Sequence, residues 1–331
     1  MLSMLLLCLC LCLPPDPDPL EPMKRDHGPG TSGGGLSTQS AEVLKPGSWS
    51  LGLRVDYTNF QRLSETQIQD KTLSMAGADH VHFDAVRWSM LETFELSVGA
   101  TESLQFGFSF GYYRATDVRE GHLHADGSYG FHDFGDVSGM TDQWITSKYR
   151  VMRGEYGSLA FFGGVKLPFG DDNEAGETST SNAPLDPALQ PGSGAFDFQF
   201  GAAYTRFLSS AVSMDTSIAY TYRTKADDFK IGDLIMFGLA LNYRFTESVQ
   251  VFPQPSAFLE LNVRHLFRNR EGSEQEENSG GTALFVSPGF RIGFSDKVSL
   301  TIAVQIPVVQ ALHEEQQLTK FKVSTGLTLS F

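Results

Sequence analysis

Five of the chain's eight histidines fall in two short stretches. His80 and His82 form one His-x-His pair, and His122 and His124 form another, with His132, Asp126 and Asp133 close by. On an extended backbone, residues two apart point to the same side, so each pair can offer two imidazoles to one divalent ion, with a third ligand supplied from elsewhere. The candidate ligands are therefore His80, His82, His122, His124 and Asp126. The plainer reading is that these are solvated loop histidines. Two acidic clusters raise the same kind of question: Asp171, Asp172, Glu174 and Glu177, then Glu271, Glu274, Glu276 and Glu277. They read first as solvated, self-repelling loops, and second as oxygen ligands for calcium or magnesium that bridge to surface lipopolysaccharide; no EF-hand spacing is present.

Catalysis finds little footing. A phospholipase-type barrel needs a Ser two residues after a His on an outward strand face, and no His-x-Ser occurs. A protease needs paired Asp and a His at an external rim, and the adjacent Asp171 and Asp172 are a weak version of that. No catalytic residue is assigned and no cofactor is expected.

The elements that would position these side chains are strands. From Lys320 to Phe331, Phe321, Val323, Thr325, Leu327, Leu329 and Phe331 share one face, while Lys322, Ser324, Gly326, Thr328 and Ser330 share the other. Ten residues at about 3.3 Å each, tilted near 40°, span roughly the 25 Å apolar band of an outer-membrane barrel. The same period of two starts at Trp49 with Leu51, Leu53, Val55 and Tyr57, and recurs in ten further segments. The expected fold is all-β: a transmembrane antiparallel up-and-down barrel of about twelve strands over residues 48–331.

The connections are expected to alternate. Short turns fall near Glu102, Gly154, Ser209 and Ser210, Glu247 and Ser248, and Asp296 and Lys297. Longer ones run about 61–86, 115–138, 169–193, 224–230, 268–281 and 311–318. A barrel with short periplasmic turns and long external loops sorts its connections in this way, whereas a soluble sandwich has no reason to. Connection one carries capping-box spacing at Ser64 and Gln67, although a solvated loop is the reading preferred there.

With the faces set, the lumen-lining candidates are Arg54, Asp56, Glu95, Asp142, Lys148, Arg150, Lys166, Asp197, Asp215, Arg223, Arg244, Glu260, Arg264, Arg291 and Lys322. Charges inside a barrel must pair or be hydrated, so this set predicts a salt-bridged, partly watered interior. It equally suits a polar path for a solute.

Composition closes off other classes. The net charge of -14 and the pI near 5.0 leave a nucleic-acid partner no electrostatic hold. After residue 13 no apolar run is long enough for a membrane helix. Cys8, Cys10 and Cys12 all lie in the leading apolar segment, which excludes disulfides and thiol chemistry downstream. Residues 1–13 read as an atypical signal segment, lacking a preceding basic residue and a small-residue cleavage site. Residues 14–47, rich in Pro, Gly and Ser, read as a disordered linker or a loose plug.

Several stretches resemble a known family. Gly139 to Val151, Gly163-Gly164-Val165-Lys166-Leu167-Pro168-Phe169-Gly170-Asp171, Gln190-Pro191-Gly192-Ser193-Gly194-Ala195-Phe196-Asp197 and Ser287-Pro288-Gly289-Phe290-Arg291 are similar to the bacterial outer-membrane barrels of the meta-pathway phenol-degradation family. The likeness covers most of residues 48–331. It implies an outer-membrane transporter for small aromatic or apolar organic molecules, working passively, with no catalytic residues to carry over. The expected partners are outer-membrane lipid and lipopolysaccharide, a small-molecule solute, and the barrel-assembly machinery through the strand ending at Phe331. The alternative is a non-conducting surface barrel that binds divalent metal or stabilises the envelope through its histidine-bearing and acidic loops.

Overall fold

The computed structural model describes residues 34–75, 81–124, 126–154, 156–178, 185–246 and 251–331. The signal segment, His80 and the turn at Glu247 and Ser248 lie outside them.

The first elements are β1 (Trp49–Phe60), α1 (Glu65–Ser74), β2 (His82–Ala85), β3 (Trp88–Gly99), β4 (Leu104–Leu123), β5 (Tyr129–Met140), β6 (Gln143–Gly154) and β7 (Gly157–Leu167). They are followed by β8 (Asp197–Phe207), β9 (Val212–Arg223), β10 (Phe229–Lys230), β11 (Leu234–Arg244), β12 (Gln254–Leu266), β13 (Arg270–Glu271) and β14 (Glu274–Gln275). The chain finishes with β15 (Gly281–Gly293), β16 (Val298–Leu312) and β17 (Thr319–Ser330). The main sheet holds fourteen strands and closes on itself because β4 also pairs β6. Its β2 only decorates the upper part of β4, and β5 and β6 follow one another down the same partner, so the wall has twelve courses, all antiparallel.

The period-two reading fixes the faces. Phe94, Phe106, Ile145, Tyr149, Phe161, Phe200, Ile218, Leu241, Leu259, Phe290, Ile302 and Leu327 are exposed on the outer surface, while Lys148, Arg150, Asp215, Glu260 and Ser324 on the opposite faces are buried inside. Closure joins the two ends of the barrel chain: Trp49 N–H donates to Phe331 O at 3.1 Å, Phe331 N–H donates to Trp49 O at 2.9 Å, and Leu53 stands opposite Leu327 in register.

Three expectations are corrected. Connection two is not a loop over 115–138, because β4 and β5 continue as a paired hairpin beyond the membrane band. The hairpin is bent by an irregularity between Ala115 and Val118, where Asp117 takes a left-handed φ of 57° and its N–H is held by Asp136 Oδ1. Connection one does contain the helix: Ser64 Oγ accepts from Gln67 N–H while Gln67 Oε1 accepts from Ser64 N–H, and both halves of the capping box form. Burial of Ile68 against Leu63, Phe83 and Ala85 tips the balance toward helix, a contact with β2 that no local signal in connection one announces.

The third correction concerns the linker. Of the two readings of residues 14–47, a disordered linker or a loose plug, residues 34–46 follow the second: they run as an irregular extended segment inside the barrel. Their backbone donors and acceptors are satisfied by lumen side chains, which supplies the order that composition alone does not predict.

Candidate functional site

The lumen is built around segment 34–46. At its start, Leu36 and Ser37 donate their N–H groups to the Glu260 carboxylate at 2.9 Å each, and Thr38 donates both its N–H and its hydroxyl. Glu260 is 0% exposed and also accepts from Asn262 Nδ2 at 3.1 Å. One buried carboxylate thus gathers successive backbone donors, the arrangement in which a buried charge is compensated by directed hydrogen bonds. On the neighbouring strand β11 the wall is glycine: a Cβ on Gly238 would lie 2.4 Å from Thr38 Oγ1, so the segment could not approach a larger residue there.

The middle of the segment crosses to other strands. Gln39 N–H donates to Ser217 Oγ at 3.1 Å, and Ala41 N–H donates to Thr205 Oγ1 at 2.9 Å. Thr205 in turn donates to Asp215, whose other oxygen accepts from Asn242 Nδ2 at 2.9 Å. Lys148 Nζ donates to Ser40 O at 2.9 Å, and Arg150 pairs with Glu42 at 2.8 Å while also donating to Glu102 O at 2.6 Å. Arg291 reaches Gly34 O at 3.1 Å, and Leu44 N–H donates to Gln105 Oε1 at 2.9 Å. Glu42, Thr38, Thr205, Gln105 and Ser217 were missed as lumen participants. The last four are neutral, and a search for charges passes over them, although strand alternation already places Gln105, Thr205 and Ser217 inward.

A second network sits where the wall meets the external connections. Lys166 Nζ lies 2.9 Å from Asp142 and 2.7 Å from Asp197, with Arg223 3.8 Å from Asp197. Asp142 also accepts from Ser193 N–H at 2.9 Å, Ser193 Oγ at 2.8 Å and Gly170 N–H at 3.1 Å. The Lys-Leu-Pro-Phe-Gly and Gln-Pro-Gly-Ser-Gly stretches are therefore fixed onto one buried acid. Arg54 pairs with Asp56 at 2.8 Å. Lys322 stands 5.3 Å over the Phe285 ring and Arg291 5.8 Å over Phe258, two inward-facing aromatics. Arg264, on the inward face of β12, is exposed to the solvent of the lumen beside this cationic group. Arg244 serves the periplasmic end instead, donating to Thr246 O and Ser210 O. Beside segment 34–46 a cavity of about 330 Å³ remains, lined by Leu36, Arg54, Glu95, Lys148, Phe162 and Arg291 among others.

The external histidines divide. His122 and His132 stack at 4.7 Å, and His122 Nε2 is 3.2 Å from His124 Nε2. Burial and the neighbouring His132 and His124 push the His122 imidazole below its ordinary value. Asp126 is turned onto Ser128, accepting from its N–H at 2.9 Å and its hydroxyl at 2.6 Å. His82, although aligned with His122 across β2 and β4, directs its ring to other groups: Asp84 at 3.6 Å and Asp186 at 3.9 Å. The acidic clusters do not gather as oxygen cages either. Asp171 accepts from Met140 N–H at 2.7 Å and so covers the free edge of β5, while Glu276 turns inward.

A closed twelve-course barrel with an apolar outer belt and a charged, partly filled interior defines a bacterial outer-membrane β-barrel. Residues 90–308 match the family described as "Putative MetA-pathway of phenol degradation", and the chain belongs to it. Among solved structures it is similar to the COG4313 outer membrane channel from Pseudomonas putida F1, at 14% identity and a TM-score of 0.62, covering 87% of this chain and 97% of that one. Looser likenesses include the translocator domain of the autotransporter NalP from Neisseria meningitidis (9% identity, 88% and 91% covered, TM-score 0.47). Another is the CymD monoaromatic hydrocarbon channel (12% identity, 87% and 89% covered, TM-score 0.42). No curated protein matches the chain in sequence.

Proposed function

We propose that this barrel is a passive conduit for small organic molecules, foremost aromatics bearing a polar group, narrowed by its own segment 34–46. The observation that carries this reading is that the segment fills only part of the lumen, leaving the cavity of about 330 Å³. That volume is within the range of small-molecule sites. Its lining mixes Arg54, Glu95, Lys148 and Arg291 with Leu36 and Phe162, so it can accommodate a ring and a hydroxyl or carboxylate together. The family description, which refers to phenol degradation, and the similar Pseudomonas putida protein, an outer membrane channel, agree with a conduit of this kind. No nucleotide-binding loop occurs in the sequence, so flux follows the solute gradient.

The mechanism has two parts. External connections around Asp172, Asp227 and Asp228 present charge to an arriving solute, and the lumen passes it beside the segment. The test is swelling of liposomes containing the full chain or its Glu260→Ala variant, with small phenolics compared against sugars of similar size. Phenolic influx above that of plain lipid, increased by Glu260→Ala, is the expected result. Influx equal to plain lipid in both proteins overturns the conduit.

A further inference from the structure

Three external connections meet at one point above the barrel mouth. His82 comes from β2, Asp186 from the stretch between β7 and β8, and Glu276 from the turn after β14. One ligand atom from each lies within 4.8 Å of the other two, the one such group of three metal-binding side chains found among the described residues. These residues are 104 and 90 positions apart in the chain, so their convergence is a product of the fold and not of a local acidic run.

The surroundings hold the three in place. Glu276 is 7% exposed, with Oε2 fixed by Asn269 Nδ2 at 2.8 Å. Asp186 has its Oδ1 committed to Ala188 N–H at 2.7 Å, which leaves Oδ2, the oxygen 3.9 Å from the His82 ring, turned to the cluster. Asn278 Nδ2 donates to the backbone carbonyl of His82 and fixes the fourth side of the arrangement. Next to His82, Oδ1 of Asp84 is shielded from solvent and has no hydrogen-bond partner. An orphaned carboxylate oxygen beside an imidazole and two further carboxylates is an unbalanced arrangement unless a positive charge joins it.

We infer that His82, Asp186 and Glu276 form a divalent transition-metal site, with Asp84 beside it, that clamps the three external connections together. One imidazole nitrogen with carboxylate oxygens suits zinc, three protein ligands leaving a position for water. Bond lengths of about 2.0–2.2 Å would bring ligand atoms to about 3.3 Å apart, against the spacing of up to 4.8 Å in this structure. The site differs from a pairing of the two His-x-His motifs, since among the described residues of that set only His82 contributes.

The experiment titrates zinc chloride into the detergent-folded full chain against a chromophoric zinc indicator. The expected result is one zinc per chain with micromolar or tighter affinity. His82→Gln and Glu276→Gln should each weaken it at least about tenfold, and the double variant His122→Ala, His124→Ala should leave it unchanged. Zinc should also slow trypsin cleavage of the wild-type external connections and not those of Glu276→Gln, with heat-modifiable gel mobility showing that each variant is a folded barrel. Absence of a one-to-one zinc site in the wild type, or its loss in the His122 and His124 variant with retention in folded His82→Gln, overturns the inference. Zinc binding is read directly, so the outcome is independent of whether phenolics cross the barrel.

Discussion

Lys166 shows how single residues hold this interior together. It sits between Asp142 and Asp197, all three being buried, and removing its charge leaves two carboxylates facing each other out of water. Lys166→Met is expected to destabilise the barrel by about 3–5 kcal/mol, because breaking a buried pair strands its partners. Urea-induced unfolding from lipid vesicles, followed by tryptophan fluorescence, checks it; a loss under about 1 kcal/mol would mean that water already shares those carboxylates. That this residue lies inward was legible in the alternation of Val165 and Leu167 around it. Asp142 and Asp197 were legible as inward-facing too, but not their pairing with it, because Asp142 occupies the break between β5 and β6 and Asp197 begins a strand one connection later. The same limit applied to the histidines: the spacing of His122 and His124 was visible, whereas the approach of His82 to Asp186 and Glu276 depends on three connections folding over one another.

Among the elements, β12 carries both faces in adjacent residues. Leu261 is exposed to lipid, while Glu260 beside it holds segment 34–46. Leu261→Arg, close to the strand's centre, is expected to cost about 2–4 kcal/mol in vesicles, the midplane cost of a lipid-facing cation. Asn262→Ser should cost much less, and equal losses at the two positions in urea unfolding would count against the assignment of the two faces. The connection from β9 to β11 makes a different prediction. Burial acts to raise the Asp233 carboxyl, but hydrogen bonds from Tyr220 Oη at 2.6 Å, Arg223 N–H at 3.0 Å and Lys230 Nζ outweigh it and hold it below its ordinary value. A depressed carboxyl contributes stability above its unfolded pKa and loses it as pH falls through the folded value. Protection against hydrogen exchange in residues 224–233, measured relative to the intrinsic exchange rate at each pH, should therefore fall once pH drops below the ordinary carboxylate range. Asp233→Asn should show that lower protection already at neutral pH and no further change in it on acidification. Strands with one lipid face are legible because lipid demands the period of two. The paired extension of β4 and β5 was not, since above the membrane both faces meet protein or water and the pattern loses its outer constraint.

For the molecule as a whole, the ratio of wall to filling decides behaviour. Twelve courses enclose a narrow lumen, and segment 34–46 occupies part of it. Single-channel conductance of the full chain in planar bilayers should be small, and cutting two of the segment's fasteners with Glu260→Ala and Arg150→Ala should raise it several-fold. An unchanged conductance would place the narrowest point elsewhere. Composition assigned residues 14–47 to a linker because Gly, Ser and Pro carry no apolar face to bury; what orders residues 34–46 is the barrel's supply of acceptors and donors, which only the closed wall brings into range. The segment is joined to β1 by two residues, Gly47 and Ser48, Gly47 already being paired to Gly99 through its N–H. It is in effect an inhibitor tethered to its own receptor, and a short tether sets an effective concentration in the millimolar range or above. A free peptide of the same sequence would have to compete at that concentration, so exchange from solution is negligible. Cleavage of the tether, by contrast, would convert an intramolecular occupant into one that dilution removes.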